Sequence, residues 1–150
     1  MKARHLRWLM NVWPPYLAAG IRVRDIASDY RYARVALRLG LTNRNYVNVH
    51  FGGSLFAMTD PFYMLMYMKN LGPEYIVWDK AASIDFVRPG RGTVEAEFRL
   101  EETDLEYART EAARQRSILI QRPVEVMNQA GEVVARVQRT IYVREKAGTG

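Results

Sequence analysis

Residues 53–69 run Gly-Ser-Leu-Phe-Ala-Met-Thr-Asp-Pro-Phe-Tyr-Met-Leu-Met-Tyr-Met-Lys, and coiled as a helix they present almost no polar face. A helix that is apolar all round has to be buried all round. It falls short of the about 20 uninterrupted apolar residues that cross a bilayer, and Asp60 and Pro61 interrupt it, so no membrane span is expected. The rest of the chain must therefore wrap it in protein. That makes Asp60 costly, because an ionised carboxylate taken out of water has to be paired, neutralised or turned toward a solvent-filled cleft. Pro61 removes one backbone hydrogen bond and clashes with the preceding turn, which predicts a kink and a free carbonyl near Ala57. From these residues alone, two roles for Asp60 stand side by side. It either binds backbone groups at the kink or serves as a reactive acid.

The other function classes narrow quickly. A chain of 150 residues is expected to form one domain, burying about 70% of its unfolded surface. With no cysteine and two histidines, His5 and His50, neither a disulfide scaffold nor a thiolate or histidine-rich metal site is expected, and no cofactor is called for. Arg7, Asn11 and Pro14-Pro15 interrupt the apolar residues behind Met1-Lys2-Ala3-Arg4, so a signal peptide is rejected and a cytoplasmic location is expected. The net charge of +6 admits nucleic acid, an anionic surface or a phosphate-bearing small molecule as partner. The arginines, among them Arg34, Arg38, Arg88, Arg91, Arg122 and Arg139, are scattered and read as solvated strand surface, so no nucleic-acid partner is expected.

Along the chain, residues 3–12 form a short amphipathic helix stopped by Pro14-Pro15. Residues 20–27 and 32–39 alternate as an antiparallel pair turning at Ser28-Asp29, and a polar loop, 42–48, leads into the buried helix. After Leu71-Gly72-Pro73 strands follow at 76–87 and 93–100, the latter with Val94, Ala96, Phe98 and Leu100 inward. Thr103 and Glu106 have capping-box spacing, so 104–116 reads as an exposed, inserted helix. Strands 118–127 and 132–143 close the chain as a hairpin around Asn128-Gln129-Ala130-Gly131, and 147–150 reads as a frayed tail.

About six strands joined by tight turns, with one long apolar helix inserted after the second, make an α+β architecture: a curved antiparallel sheet wrapped round a central helix, the hotdog fold. The order of elements, together with Asn45, Phe51-Gly52-Gly53-Ser54-Leu55-Phe56, Asp60 and Asp85-Phe86-Val87-Arg88-Pro89-Gly90-Arg91-Gly92, resembles the small acyl-CoA thioesterases of the hotdog superfamily. Within it, the chain is most similar to a branch of undefined function related to the phenylacetate-pathway thioesterases, over about residues 13–143.

The resemblance implies hydrolysis of an acyl-CoA or similar thioester, with coenzyme A entering only as part of the substrate. The family carboxylate lands on Asp60, as general base toward water or as nucleophile on the thioester carbonyl. The backbone N–H of Gly53, beside Gly52 at a helix start, supplies the oxyanion donor. Seven helical residues rise about 10.5 Å, whereas an oxyanion donor sits about 3 Å from the oxygen it stabilises, so Asp60 of one subunit is expected to face Gly53 of another across a two-fold axis. A homodimer, with a dimer of dimers as its extension, is the implied assembly.

For the substrate, Phe56, Met58, Phe62, Tyr63 and Met64 offer apolar walls, and Arg88 and Arg91 offer bidentate donors to the phosphates of coenzyme A. Asn45 either holds a water or the carbonyl, or simply forms its turn. The chain departs from the family in two places: Phe51 stands where the family histidine usually sits, with His50 displaced by one, and Met64 replaces a usual Ser or Thr. Those departures support the alternative of a non-catalytic acyl-CoA-binding or scaffold protein that keeps the fold.

Overall fold

The computed structural model describes residues 1–147. Of the tail expected at 147–150, residues 148–150 lie outside the described residues. Helix α1 (Ala3–Val12) ends where Trp13 turns extended ahead of Pro14. The two prolines stop α1 and also start a second, unanticipated helix, α2 (Pro14–Ala19), because a proline in the first helical turn forgoes only an N–H that would be unpaired anyway. Gly20, at φ 77°, closes α2 in the left-handed conformation that a side chain disfavours.

Strands β1 (Ile21–Ile26), β2 (Tyr32–Arg38), β3 (Tyr75–Phe86), β4 (Thr93–Arg99), β5 (Ser117–Asn128) and β6 (Val133–Glu145) form one six-stranded sheet in the order β1-β2-β4-β5-β6-β3. Every pairing is antiparallel, so β1 and β3 are the two edges. The inward residues of this sheet, such as Val35, Leu37, Phe98, Val126, Ile141 and Val143, are buried and share one core with the central helical segment. Each large side chain fully buried there stabilises the fold by about 1.5–3 kcal/mol before its ordering entropy is counted.

The central helix is broken in two. Helix α3 (Gly52–Ala57) and helix α4 (Phe62–Leu71) are separated by Met58 to Pro61. The kink expected at Pro61 is thus a full interruption. Thr59 caps the end of α3, its Oγ1 donating to the Phe56 carbonyl at 2.8 Å, and Pro61 has no N–H with which to continue the ladder. The Ala57 carbonyl is not left free as the sequence suggests, because the Asp60 N–H turns back to it at 3.1 Å. Beyond the break, Phe62 and Tyr63 set α4 on the sheet, their ring centroids 4.8 and 5.2 Å from that of Phe98.

The inserted helix α5 (Glu102–Gln115) begins two residues before the expected 104, and its capping box is formed by Glu101 and Asp104 rather than Thr103 and Glu106. Leu100, buried directly after β4, fixes where the chain leaves the sheet and so which residue becomes the cap. The β5–β6 turn is held by Asn128, whose Oδ1 accepts from the N–H groups of Ala130 and Glu132. No helix among the described residues is long and apolar enough to cross a membrane.

Candidate active site

Along β6 the inward positions Val137, Ile141 and Val143 are apolar and buried, and between them, in the same register, stands Arg139 with its side chain 5% exposed. A guanidinium in such a place is strongly unfavourable unless it is paired. One nitrogen, Nη2, meets both available carboxylates: Asp79 Oδ2 on β3 at 3.0 Å and Asp60 Oδ2 in the helix break at 3.3 Å. The guanidinium also lies 5.7 Å from the centroid of the Phe56 ring. A bulge in β3 between Asp79 and Ala81 adds Lys80 to the strand and shifts the pairing, so that Asp79 stands opposite Ile141 and Ala82 opposite Arg139.

These groups border an open cleft of about 350 Å³ running between α3 and edge strand β3. Gly53, Phe56 and Asp60 line one side, and Asp79, Lys80 and Arg139 line the other. Gly53 and Asp60 therefore reach one cleft within a single chain. Between them Met58 keeps the helical conformation, its N–H donating to the Ser54 carbonyl, and the Thr59 and Asp60 N–H groups continue as tighter turns onto Phe56 and Ala57.

At the start of α3 the N–H groups of Gly52 and Gly53 have no acceptor among the described residues, as the geometry of a first helical turn dictates. Both glycines let a ring lie against the backbone. A Cβ on Gly53 would stand 2.4 Å from the Phe51 ring, and one on Gly52 would stand 2.8 Å from that of Phe86. On the opposite side, the buried Tyr16 hydroxyl donates to the Asp60 backbone carbonyl. Burial, and secondarily the Asp60 charge, pushes the Tyr16 hydroxyl above its ordinary range, so it remains a protonated donor. Asp79 is also pushed up, chiefly by burial, with the hydrogen bond and charge of Arg139 opposing the rise and the Asp60 charge adding to it.

The remaining residues singled out from sequence are dispersed. Asn45 forms its turn, Oδ1 accepting from Val47 and Val49 N–H at 3.1 Å each, and borders a second cleft of about 460 Å³ with His50, Gly52, Phe86 and Arg88. His50 is buried, with Nε2 2.9 Å from the Gly92 carbonyl and Nδ1 unpartnered, and burial holds its imidazole below the ordinary range. Arg88 is ion-paired with Glu132, and Arg91 lies exposed in the same loop. Tyr63 is buried beneath Arg122, 4.8 Å from ring centroid to guanidinium carbon, away from Asp60, and Met64 is half-buried against the core.

Sequence reasoning passed over Asp79, read Arg139 as surface, and gave Tyr16 only a place in an N-terminal segment closing one end of the acyl site. Arg139 is not solvated strand surface but the charge at the centre of the cleft. The signal was present: in Val-Ala-Arg-Val-Gln-Arg-Thr-Ile-Tyr-Val the second arginine falls in step with the buried valines and isoleucine, as Asp79 falls in step with Val77 on β3.

Residues 2–143 match a family model described as a domain of unknown function, DUF4442. The chain belongs to this family. Its structure is similar to that of a Pseudomonas aeruginosa protein of unknown function described as a probable thioesterase, with 20% identity, 97% of each chain covered and a TM-score of 0.86. A Haemophilus influenzae thioesterase follows at 13% identity, 99% of this chain and 94% of that one, and a TM-score of 0.68. The Escherichia coli PaaI protein of the phenylacetic acid degradation operon shares 18% identity over 98% of this chain and 93% of its own, with a TM-score of 0.60. At these identities the likeness establishes the fold, and the DUF4442 chain has the hotdog architecture of these thioesterase-like proteins. No curated protein matches its sequence.

Proposed function

We propose that this DUF4442 protein is a thioester hydrolase acting on an acyl-CoA or similar acyl thioester, at the cleft between α3 and β3. The observation that carries the reading is a solvent-facing carboxylate, Asp60, and the unclaimed N–H group of Gly53 bordering one cleft. A carboxylate needs a reacting water or carbonyl within reach, and the tetrahedral oxyanion needs a preorganised donor. With Asp60 as base, it takes a proton from water as the water oxygen bonds to the carbonyl carbon, and the oxyanion forms against the Gly53 N–H. Collapse breaks the carbon–sulfur bond, and the thiolate leaves with the proton that Asp60 holds. With Asp60 as nucleophile, a mixed anhydride forms first and water then releases the acid. In single-turnover hydrolysis in ¹⁸O water, label found in Asp60 identifies the second route, with water opening the anhydride at the Asp60 carboxyl carbon.

The same reading assigns a second copy of the chain to the open edge of β3. Strand β3 spans Tyr75–Phe86, pairs only with β6 among the described residues, and forms one wall of the cleft, so pairing along it would enclose the substrate. Arg88 and Arg91 at the loop after β3 are the proposed contacts for phosphates of coenzyme A. A non-hydrolytic acyl-CoA binder is the competing reading, favoured by the Phe51 ring lying against Gly53 where substrate would approach the donor. Hydrolysis of a panel of acyl-CoAs by the wild type and Asp60→Asn decides between them. Turnover that falls about 10²-fold or more in Asp60→Asn is expected. Binding of CoA esters without turnover, or an unchanged rate in the variant, overturns the hydrolase.

A further inference from the structure

Arg139 presents two carboxylates to one nitrogen, and the two are not equivalent. Asp79 has a side chain 20% exposed and lies on the floor of the cleft, whereas the Asp60 side chain is 55% exposed at its edge. The deeper ion pair is the shorter, 3.0 against 3.3 Å. Asp79 is therefore the anchor of the guanidinium and Asp60 its free end. The main chain of Asp60 is held independently, by the Tyr16 hydroxyl from α2 and by its own N–H to Ala57. Its carboxylate has no other bonding partner among the described residues, so Arg139 alone fixes the direction in which the acid points. The charged and titratable groups around it are Arg139 on β6, Asp79 and Lys80 on β3, and Tyr16 on α2.

We propose that Arg139 is a positioning residue for the hydrolysis proposed above: seated on Asp79, its guanidinium holds the Asp60 carboxylate on the cleft side of the helix break, facing the thioester. This rests on that reading of the function but reaches beyond it, since it assigns to a buried arginine and a second aspartate a task exerted through Asp60. The arrangement also accounts for charge in the apolar register of β6. A buried ion-paired cluster is weak support for folding alone, because replacing all of its members with well-packed apolar side chains is often at least as stable.

The test combines kinetics with structure. In Arg139→Gln, kcat is expected to fall at least about 30-fold with KM changed by less than about threefold, because the substrate contacts remain while the acid is misdirected. Arg139→Lys should recover part of the loss, since a single cationic nitrogen carries both contacts. A crystal structure of Arg139→Gln should show the Asp60 carboxylate turned away from its wild-type direction. A folded Arg139→Gln with kcat within threefold of wild type, or with Asp60 unmoved, overturns the proposal. Should Arg139→Gln not fold, Asp79→Asn carries the test, because it keeps the guanidinium but loosens its seat. A kcat lowered about fivefold or more at unchanged KM supports the proposal, and an unchanged kcat overturns it. If the wild type hydrolyses no thioester, the functional reading fails by itself, and the direction of Asp60 in the two variant structures still decides the role of Arg139.

Discussion

Replacing Arg139 with methionine keeps most of the apolar stem and removes the charge, which leaves Asp60 and Asp79 facing each other without a counterion. Removing one partner of a buried pair costs about 3–5 kcal/mol, because the other charge stays buried and uncompensated. Asp79, four-fifths buried, bears most of that, whereas the half-exposed Asp60 is screened by solvent and adds at most about 1 kcal/mol. Asp79 can limit its share by taking up a proton, which places the expected loss at pH 7.5 near the low end, about 3 kcal/mol. For a chain of this length that lowers Tm by about 6–12 °C. Urea unfolding at fixed protein concentration, at pH 7.5 and pH 4.5, measures it. The loss should shrink at the lower pH, where Asp79 is closer to neutral, and the double variant Arg139→Met/Asp79→Asn should recover about 2 kcal/mol at pH 7.5. A loss below about 1 kcal/mol at pH 7.5, or one that Asp79→Asn does not relieve, refutes the account of a buried cation held by Asp79.

Three further outcomes follow from the same geometry. Asp79 titrates above its ordinary value near 3.8, so its share of stability is complete below that pH and is lost as pH rises through the raised value; chemical denaturation across pH 4–8 should show Asp79→Asn gaining on the wild type as pH rises. His50 behaves oppositely: its imidazole lies below the ordinary 6.5, so its contribution is present above that pH and lost as pH falls, and wild type should lose ground to His50→Gln as pH falls below 6.5. A parallel pair of stability curves would remove His50 from the acid response. In Gly53→Ala the half-exposed Phe51 ring can swing aside and alanine favours helix by about 1 kcal/mol, so differential scanning calorimetry should show Tm unchanged or raised. Acyl-CoA hydrolysis should nevertheless drop at least about 10-fold, since the methyl group crowds the donor; undiminished turnover would place the oxyanion elsewhere.

The fold was legible because its signals are local and periodic. Alternation in Val94, Ala96, Phe98 and Leu100 states which face of a strand is buried, and the apolar run 53–69 states that something must surround it. Caps were less legible: whether Thr103 or Glu101 caps α5 depends on where buried Leu100 anchors the chain, which is a tertiary matter. The sequence likewise named Asp60 and Gly53, since an acid and a glycine pair on an apolar helix stand out from their surroundings. It did not show that they border the same cleft. That depends on how α3 lies against edge strand β3, which with Arg139 on β6 supplies the other wall of the cleft.

What the sequence determined by itself was the set of faces: inward strands, an apolar helical segment set against them, which the chain leaves exposed at Gly53, Ala57 and Met68, and one carboxylate that could not remain buried without help. What only the tertiary structure decided was where that help comes from. Asp60, Asp79 and Arg139 lie on three elements far apart in the chain, brought together by a strand order that places β3 beside β6 and by a bulge that adjusts their register. Ion pairing acts over a few ångströms in space and carries no signature of spacing along the chain, so a buried arginine and its two acids look like scattered charges until the sheet is assembled.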